Sequence, residues 1–79
     1  MKSLVLYSTD NCTLCDEALD LLFSMPELKG WSLTVIDVAT DPRLIECYGD
    51  RLPVVRVNET ELAAPFVRAQ LAGWLRDLE

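Results

Sequence analysis

The chain has no histidine, few basic residues (seven Lys and Arg against thirteen Asp and Glu) and no apolar run of membrane-spanning length. Each absence excludes something. Without histidine the commonest general base and the commonest metal ligand are missing, which leaves thiol and carboxylate chemistry. A net charge of −6 supplies no positive field for a phosphate backbone or an anionic bilayer, so neither nucleic acid nor membrane is an expected partner. The amino terminus continues from Met1, Lys2 and Ser3 into the short apolar stretch "LVLY", well under the length of a signal-peptide core, and a cytoplasmic location is expected. No repeat, low-complexity tract or linker interrupts the 79 residues, so one domain spanning 1–79 is expected. A chain of this size buries roughly 60% of the surface that its unfolded form exposes. With 51% apolar and 25% charged residues, its composition is that of a folded globular protein.

Cysteine is also scarce, and the total of three is odd, which does not suit a structural disulfide framework. Two of the three, Cys12 and Cys15, stand three positions apart in "TDNCTLCDEALD", residues 9–20. In a reducing cytoplasm such a pair points to redox chemistry or to metal. Zinc is the weaker metal reading, because one chain offers only three thiols and no histidine for a four-ligand site. Asp10, Asp16, Glu17 and Asp20 surround the pair, with no basic residue among them.

Periodicity places the pair in the fold. "SLVLYS" (Ser3 to Ser8) is long enough for a buried strand and too short for a helix. From Thr13 to about Ser24, Leu14, Ala18, Leu21, Leu22 and Met25 recur at helical intervals, and Pro26 cannot continue the helix. "WSLTVID" (Trp31 to Asp37) alternates Trp31, Leu33 and Val35 on one face and reads as a second strand. A short helix follows, with Asp41 as N-cap, Pro42 at its first position and Gly49 at a left-handed C-terminal cap. "VVRV" (Val54 to Val57) and "ELAA" (Glu61 to Ala64) flank the polar "NET" as a tight hairpin. Val67, Leu71, Trp74, Leu75 and Leu78 mark one face of a last helix opening near Pro65. The resulting order, β-α-β-α-β-β-α, predicts an α/β sandwich: a four-stranded mixed sheet with a parallel βαβ first half and helices on both faces. Cys12 then falls at the carboxyl edge of the sheet, where open α/β proteins hold their chemistry.

Whether Asp10, Asn11 or Thr13 caps the first helix, Cys12 lies at or next to its first residue and Cys15 points inward one turn later. Residues three apart on a helix have Cβ atoms roughly 5–6 Å apart, near enough for a disulfide to close and reopen. Amides at a helix amino terminus stabilise a thiolate, which makes Cys12 the nucleophile and Cys15 the resolving thiol. The neighbouring carboxylates oppose that activation, so the Cys12 pKa is expected at about 7–8, above the extreme values of the most acidic redox thiols.

With "CTLC" after the first strand of this element order, the chain resembles the glutaredoxins of the thioredoxin superfamily over essentially its whole length. It is more similar still to a group of small glutaredoxin-like proteins, in "LYSTDNCTLCDEA", in "DVATDPRLIECYGDRLPVV" and in the tryptophan-containing last helix. The resemblance implies a thiol-disulfide oxidoreductase of cell redox homeostasis, in which Cys12 and Cys15 are the active-site cysteines. It also implies a cis Pro53 facing the pair, with Leu52 offering its backbone to a bound peptide or glutathione. Departures are visible: Thr13-Leu14 replaces Pro-Tyr, no lysine precedes Cys12, "AAPFV" stands where glutaredoxins carry Gly-Gly and acidic residues, and Asn11 takes the place of thioredoxin's tryptophan. No permanently bound cofactor is expected. Glutathione stays open as a reductant with its binding motif incomplete, and the expected partner of a monomeric protein is a protein or low-molecular-weight thiol or disulfide.

Two other readings remain open: a non-enzymatic binding module on the same fold, and a dimeric iron-sulfur cluster carrier using Cys12. Elsewhere, Cys47, beside Leu44, Ile45 and Tyr48, reads as core packing, as do Trp31 and Trp74. Tyr7, ending the first strand near the motif, fits either a substrate groove or packing. Arg51 is the one basic residue that the sequence brings near Leu52-Pro53, as a substrate contact or as a solubilising surface charge.

Overall fold

The computed structural model describes residues 2–78. Its elements run β1 (Ser3–Ser8), α1 (Thr13–Ser24), β2 (Ser32–Asp37), α2 (Pro42–Tyr48), β3 (Val54–Val57), β4 (Thr60–Ala63) and α3 (Arg68–Asp77). Single 3₁₀ turns at Pro26–Leu28 and Val38–Thr40 flank β2. The strands form one sheet in the order β2-β1-β3-β4. β1 and β2 are parallel, with Leu6 opposite Val35, whereas β3 is antiparallel to both β1 and β4. The hairpin turns over Asn58 and Glu59, and Asn58 takes the left-handed conformation (φ 55°) that short polar side chains tolerate. This is the α/β architecture and element order that the periodicity predicts.

Alternation along the strands divides the core in two. Leu4, Leu6, Val55 and Val57 point to one face and pack with Ala18, Leu22 and Met25 around α1 and with Leu71 and Leu75 of α3. Tyr7 and Val54 point to the other face and pack with Val38 and with Tyr48 of α2. Burying each large aliphatic side chain contributes about 1.5–3 kcal/mol, so the first cluster is the main source of cohesion. α1 ends where Pro26 removes a donor, and Met25 closes it with its N–H on the Leu22 carbonyl at 3.3 Å. Among the described residues no helix is long and apolar enough to cross a membrane.

Several expectations are corrected. Cys47 is exposed, because the seven-residue α2 turns only Tyr48 fully inward, with Leu44 half-buried one turn before it. Gly49 is right-handed (φ −52°, ψ −31°) instead of left-handed. Its need for glycine is steric: a Cβ there would stand 2.6 Å from the Ile45 carbonyl oxygen, which accepts the Gly49 N–H at 2.8 Å. α3 begins at Arg68, three residues beyond Pro65, because Val67 is extended (φ −115°, ψ 165°) and 65% exposed. Val35 is also exposed, on the edge strand β2, where it lines a shallow depression with Asp16 and Leu19 of α1. Trp31 and Trp74 are half-buried against the first cluster and so complete the packing as read.

Candidate functional site

The site begins with the chain reversal after β1. Asn11 adopts a left-handed backbone (φ 56°), and Cys12 follows in an extended conformation (φ −113°, ψ 99°) as the N-cap of α1. None of the three cap candidates, Asp10, Asn11 or Thr13, fills that position. Sulfur is a poor hydrogen-bond acceptor and does not figure in ordinary capping preferences, which is why the sequence pattern does not reveal it. The Cys12 Sγ accepts the Cys15 N–H at 3.1 Å, and the Cys12 carbonyl accepts the Asp16 N–H at 3.1 Å. The sulfur therefore sits at the positive end of the α1 dipole, where negative charge is stabilised.

Cys12 and Cys15 are joined by a disulfide, with Cα atoms 5.2 Å apart. Their exposures differ: Cys15 is 1% exposed, at the head of the inward stripe Cys15, Ala18 and Leu22, while Cys12 is half-buried at the rim. Of the two sulfurs, an incoming molecule meets Cys12. Among the described residues there is no group of three His, Cys, Asp or Glu side chains able to hold a metal ion.

Pro53 is fully buried, and the Leu52–Pro53 peptide is cis, the isomer that the resemblance implies; the Ala64–Pro65 peptide is cis as well. The Pro53 carbonyl accepts the Ala64 N–H at 3.0 Å, tying the two proline turns together. Pro53, Leu14, Leu21, Ala64, Pro65 and Phe66, with Glu17 at the edge, line a groove of about 130 Å³ beside α1. Leu14 is 59% exposed there, so it departs from the core stripe in which its helical spacing put it. A reading by spacing alone misses this groove. The signal available was that Leu14 lies next to Cys15 and so about 100° around the helix from the inward face.

Tyr7 is placed elsewhere. Its ring is buried on the α2 face of the sheet, stacked on Tyr48 with centroids 4.2 Å apart, and its hydroxyl accepts from Arg56 at 3.5 Å. It is not among the residues that line the groove beside α1. Leu52 is half-buried and also packs toward the α2 cluster. Arg51 is exposed and bound at the end of α2: it donates to the Cys47 carbonyl at 2.9 Å and lies 5.4 Å from the Tyr48 ring centroid. Tyr48 in turn donates to Glu61. That hydrogen bond, together with burial and the neighbouring Tyr7, raises the Tyr48 pKa well above the usual tyrosine value.

Comparison with known proteins agrees with this geometry. The model of the glutaredoxin-like domain family (DUF836) matches residues 3–76. The X-ray structure of the Northeast Structural Genomics target protein XcR50 from X. campestris is 33% identical, with a TM-score of 0.82 over 94% of this chain and 96% of that one. The solution structure of the same target gives a TM-score of 0.79 at 33% identity, over 98% of this chain and 95% of that one. No match is found among curated proteins.

Proposed function

The chain belongs to the glutaredoxin-like domain family, and from that premise we propose that it is a thiol-disulfide oxidoreductase with Cys12 as nucleophile and Cys15 as resolving thiol. The observation that carries the reading is the asymmetry of the pair: one sulfur at the rim, capping a helix, bonded to one sulfur sealed beneath it. Only the thiolate attacks a disulfide, and the helix amino terminus with the Cys15 amide favours the thiolate of Cys12.

In the reduced protein, the Cys12 thiolate bonds to one sulfur of the substrate disulfide as that disulfide breaks and its other half leaves as a thiolate. Cys15, once deprotonated, attacks the Cys12 sulfur, which breaks the mixed disulfide and expels the second half of the substrate. The protein loses two electrons and becomes the Cys12–Cys15 disulfide, while the substrate gains two electrons and leaves as two thiols. An external thiol reductant, of low molecular weight or protein, then restores the pair. Burial keeps Cys15 away from solvent disulfides and reserves it for the intramolecular step. Leu52, beside the cis Pro53, is the backbone that we assign to align the substrate chain.

The test is trapping. Cys15→Ser, mixed with a disulfide substrate, is expected to accumulate a mixed disulfide on Cys12, and Cys12→Ser is expected to form none. Alkylation and peptide mass mapping across a graded glutathione buffer then give the potential of the wild-type pair. Cysteines that stay reduced across the whole range, or equal adduct formation by the two variants, overturn the reading.

A further inference from the structure

Resting on the exchange reading above, we propose that the substrate disulfide belongs to a polypeptide segment whose cysteine is flanked by basic and apolar side chains, and that anionic disulfides are disfavoured. The carrying observation is what stands on either side of the first turns of α1, the helix that Cys12 caps. On one side of the α1 amino terminus lies the groove of Leu14, Pro53, Pro65 and Phe66, apolar apart from Glu17. On the other lies a second depression, of about 300 Å³, which includes Asp10, Asp16 and Asp37 together with the exposed Val35.

Neither wall includes a Lys or Arg. Four of the seven basic side chains are engaged elsewhere: Arg43 with Asp41 at 3.3 Å, Arg51 over Tyr48, Arg56 on the Asn58 carbonyl, Lys2 over Trp31. Arg68 opens α3 two residues beyond Phe66 but does not line the groove. An incoming chain thus meets carboxylates around the nucleophile and an apolar slot next to it. Lysine or arginine beside the reacting cysteine is attracted, an aliphatic neighbour fills the slot, and the carboxylates of glutathione disulfide are repelled. The apolar slot is what favours a polypeptide over a small cationic disulfide.

The experiment measures single-turnover oxidation of the reduced protein by five symmetric disulfides. These are a short peptide with lysines flanking a leucine-cysteine pair, its glutamate counterpart, glutathione disulfide, cystamine and the uncharged 2-hydroxyethyl disulfide. Each rate is divided by that of the same disulfide with dithiothreitol, which removes differences in intrinsic reactivity. At about 10 mM salt the lysine peptide is expected to react about ten-fold faster than the glutamate peptide or glutathione disulfide, and the gap is expected to close near 1 M salt. The double variant Asp16→Lys, Glu17→Lys is expected to invert the preference. Its rate with the uncharged disulfide corrects for any change in the nucleophilicity of Cys12. Equal rates for the lysine and glutamate peptides at low salt overturn the proposal while exchange itself stands. Cystamine as fast as the lysine peptide overturns the assignment to a polypeptide. Absence of reaction with all five overturns the exchange reading and this proposal with it.

Discussion

The two faces of the sheet are held by different means. Beneath α1 and α3 the fully buried contacts are aliphatic, Leu4, Leu6, Leu22, Leu71 and Leu75, and the aromatic rings of Trp31, Phe66 and Trp74 pack on them only half-buried. Beneath α2 the buried set contains two stacked tyrosines, and their hydroxyls link to Glu61 and Arg56 at the margin. Aliphatic packing is non-directional and tolerates no void, whereas an aromatic and hydrogen-bonded layer fixes orientation and forgives small losses at its wet edge. The cysteine pair rests on the first kind of surface, since Cys15 continues directly into the inward stripe of α1. Its geometry is therefore inherited from close packing, since, the tyrosines of the other face apart, no polar or charged side chain is buried among the described residues.

Substitutions on the two faces test this contrast. The largest effect is expected from Leu71→Ala on the aliphatic face, fully buried in the native state, at about 2–5 kcal/mol in denaturant unfolding. Next is Gly49→Ala at the end of α2, about 1–3 kcal/mol, because the new Cβ would stand 2.6 Å from the Ile45 carbonyl oxygen unless the turn moves. A stabilising result would show that the turn gives way and that the α2 face is softer than drawn.

Tyr48→Phe is expected to cost about 1 kcal/mol at neutral pH, since its partner Glu61 is exposed and partly solvated. Its pH dependence is more telling. The Tyr48 pKa is raised in the folded protein by the Glu61 hydrogen bond, by burial and by Tyr7, so the folded state holds this proton more tightly than the unfolded chain. The stabilisation is complete below the unfolded tyrosine value near 10 and is lost as pH rises above it toward the folded value. Wild-type protein should lose stability above about pH 10 faster than Tyr48→Phe, as read by urea midpoints at stepped pH. Parallel curves would remove Tyr48 from the account. The smallest effect is assigned to Leu14→Ala, within about 0.5 kcal/mol because the side chain is 59% exposed, yet with slower oxidation by a leucine-bearing peptide disulfide. A loss as large as that of Leu71→Ala would place Leu14 in the core after all.

Strands β1 and β3 were legible in the sequence to the residue, and helix α1 in its extent though not in its cap, because each is bounded by a sharp change: Ser8 into the polar loop, Pro53 before Val54, Pro26 after Met25. The order of elements and the position of the thiols followed from those boundaries. What was not legible depends on contacts distant in sequence. Cys47 looked buried because its neighbours Leu44, Ile45 and Tyr48 are apolar, but a helix of two turns shows the sheet one narrow stripe, and the sheet decides which. Tyr7 looked close to the motif along the chain, yet strand alternation sends its ring through to the opposite face. Leu14 fitted the helical period and still emerged at the surface, where it lines a groove with Pro53 and Pro65. The capping role of Cys12 had no signal in propensity at all.

That sulfur cap also makes the Cys15 amide an indicator. Its proton is held by the one atom whose charge and covalent state the chemistry changes. A thiolate accepts that proton more strongly than a disulfide sulfur does. The Cys15 amide resonance should therefore shift with the oxidation and ionisation of its neighbour, and its hydrogen exchange should slow as the thiolate forms. One backbone nucleus would then report the state of the pair in solution, with no label attached to either cysteine.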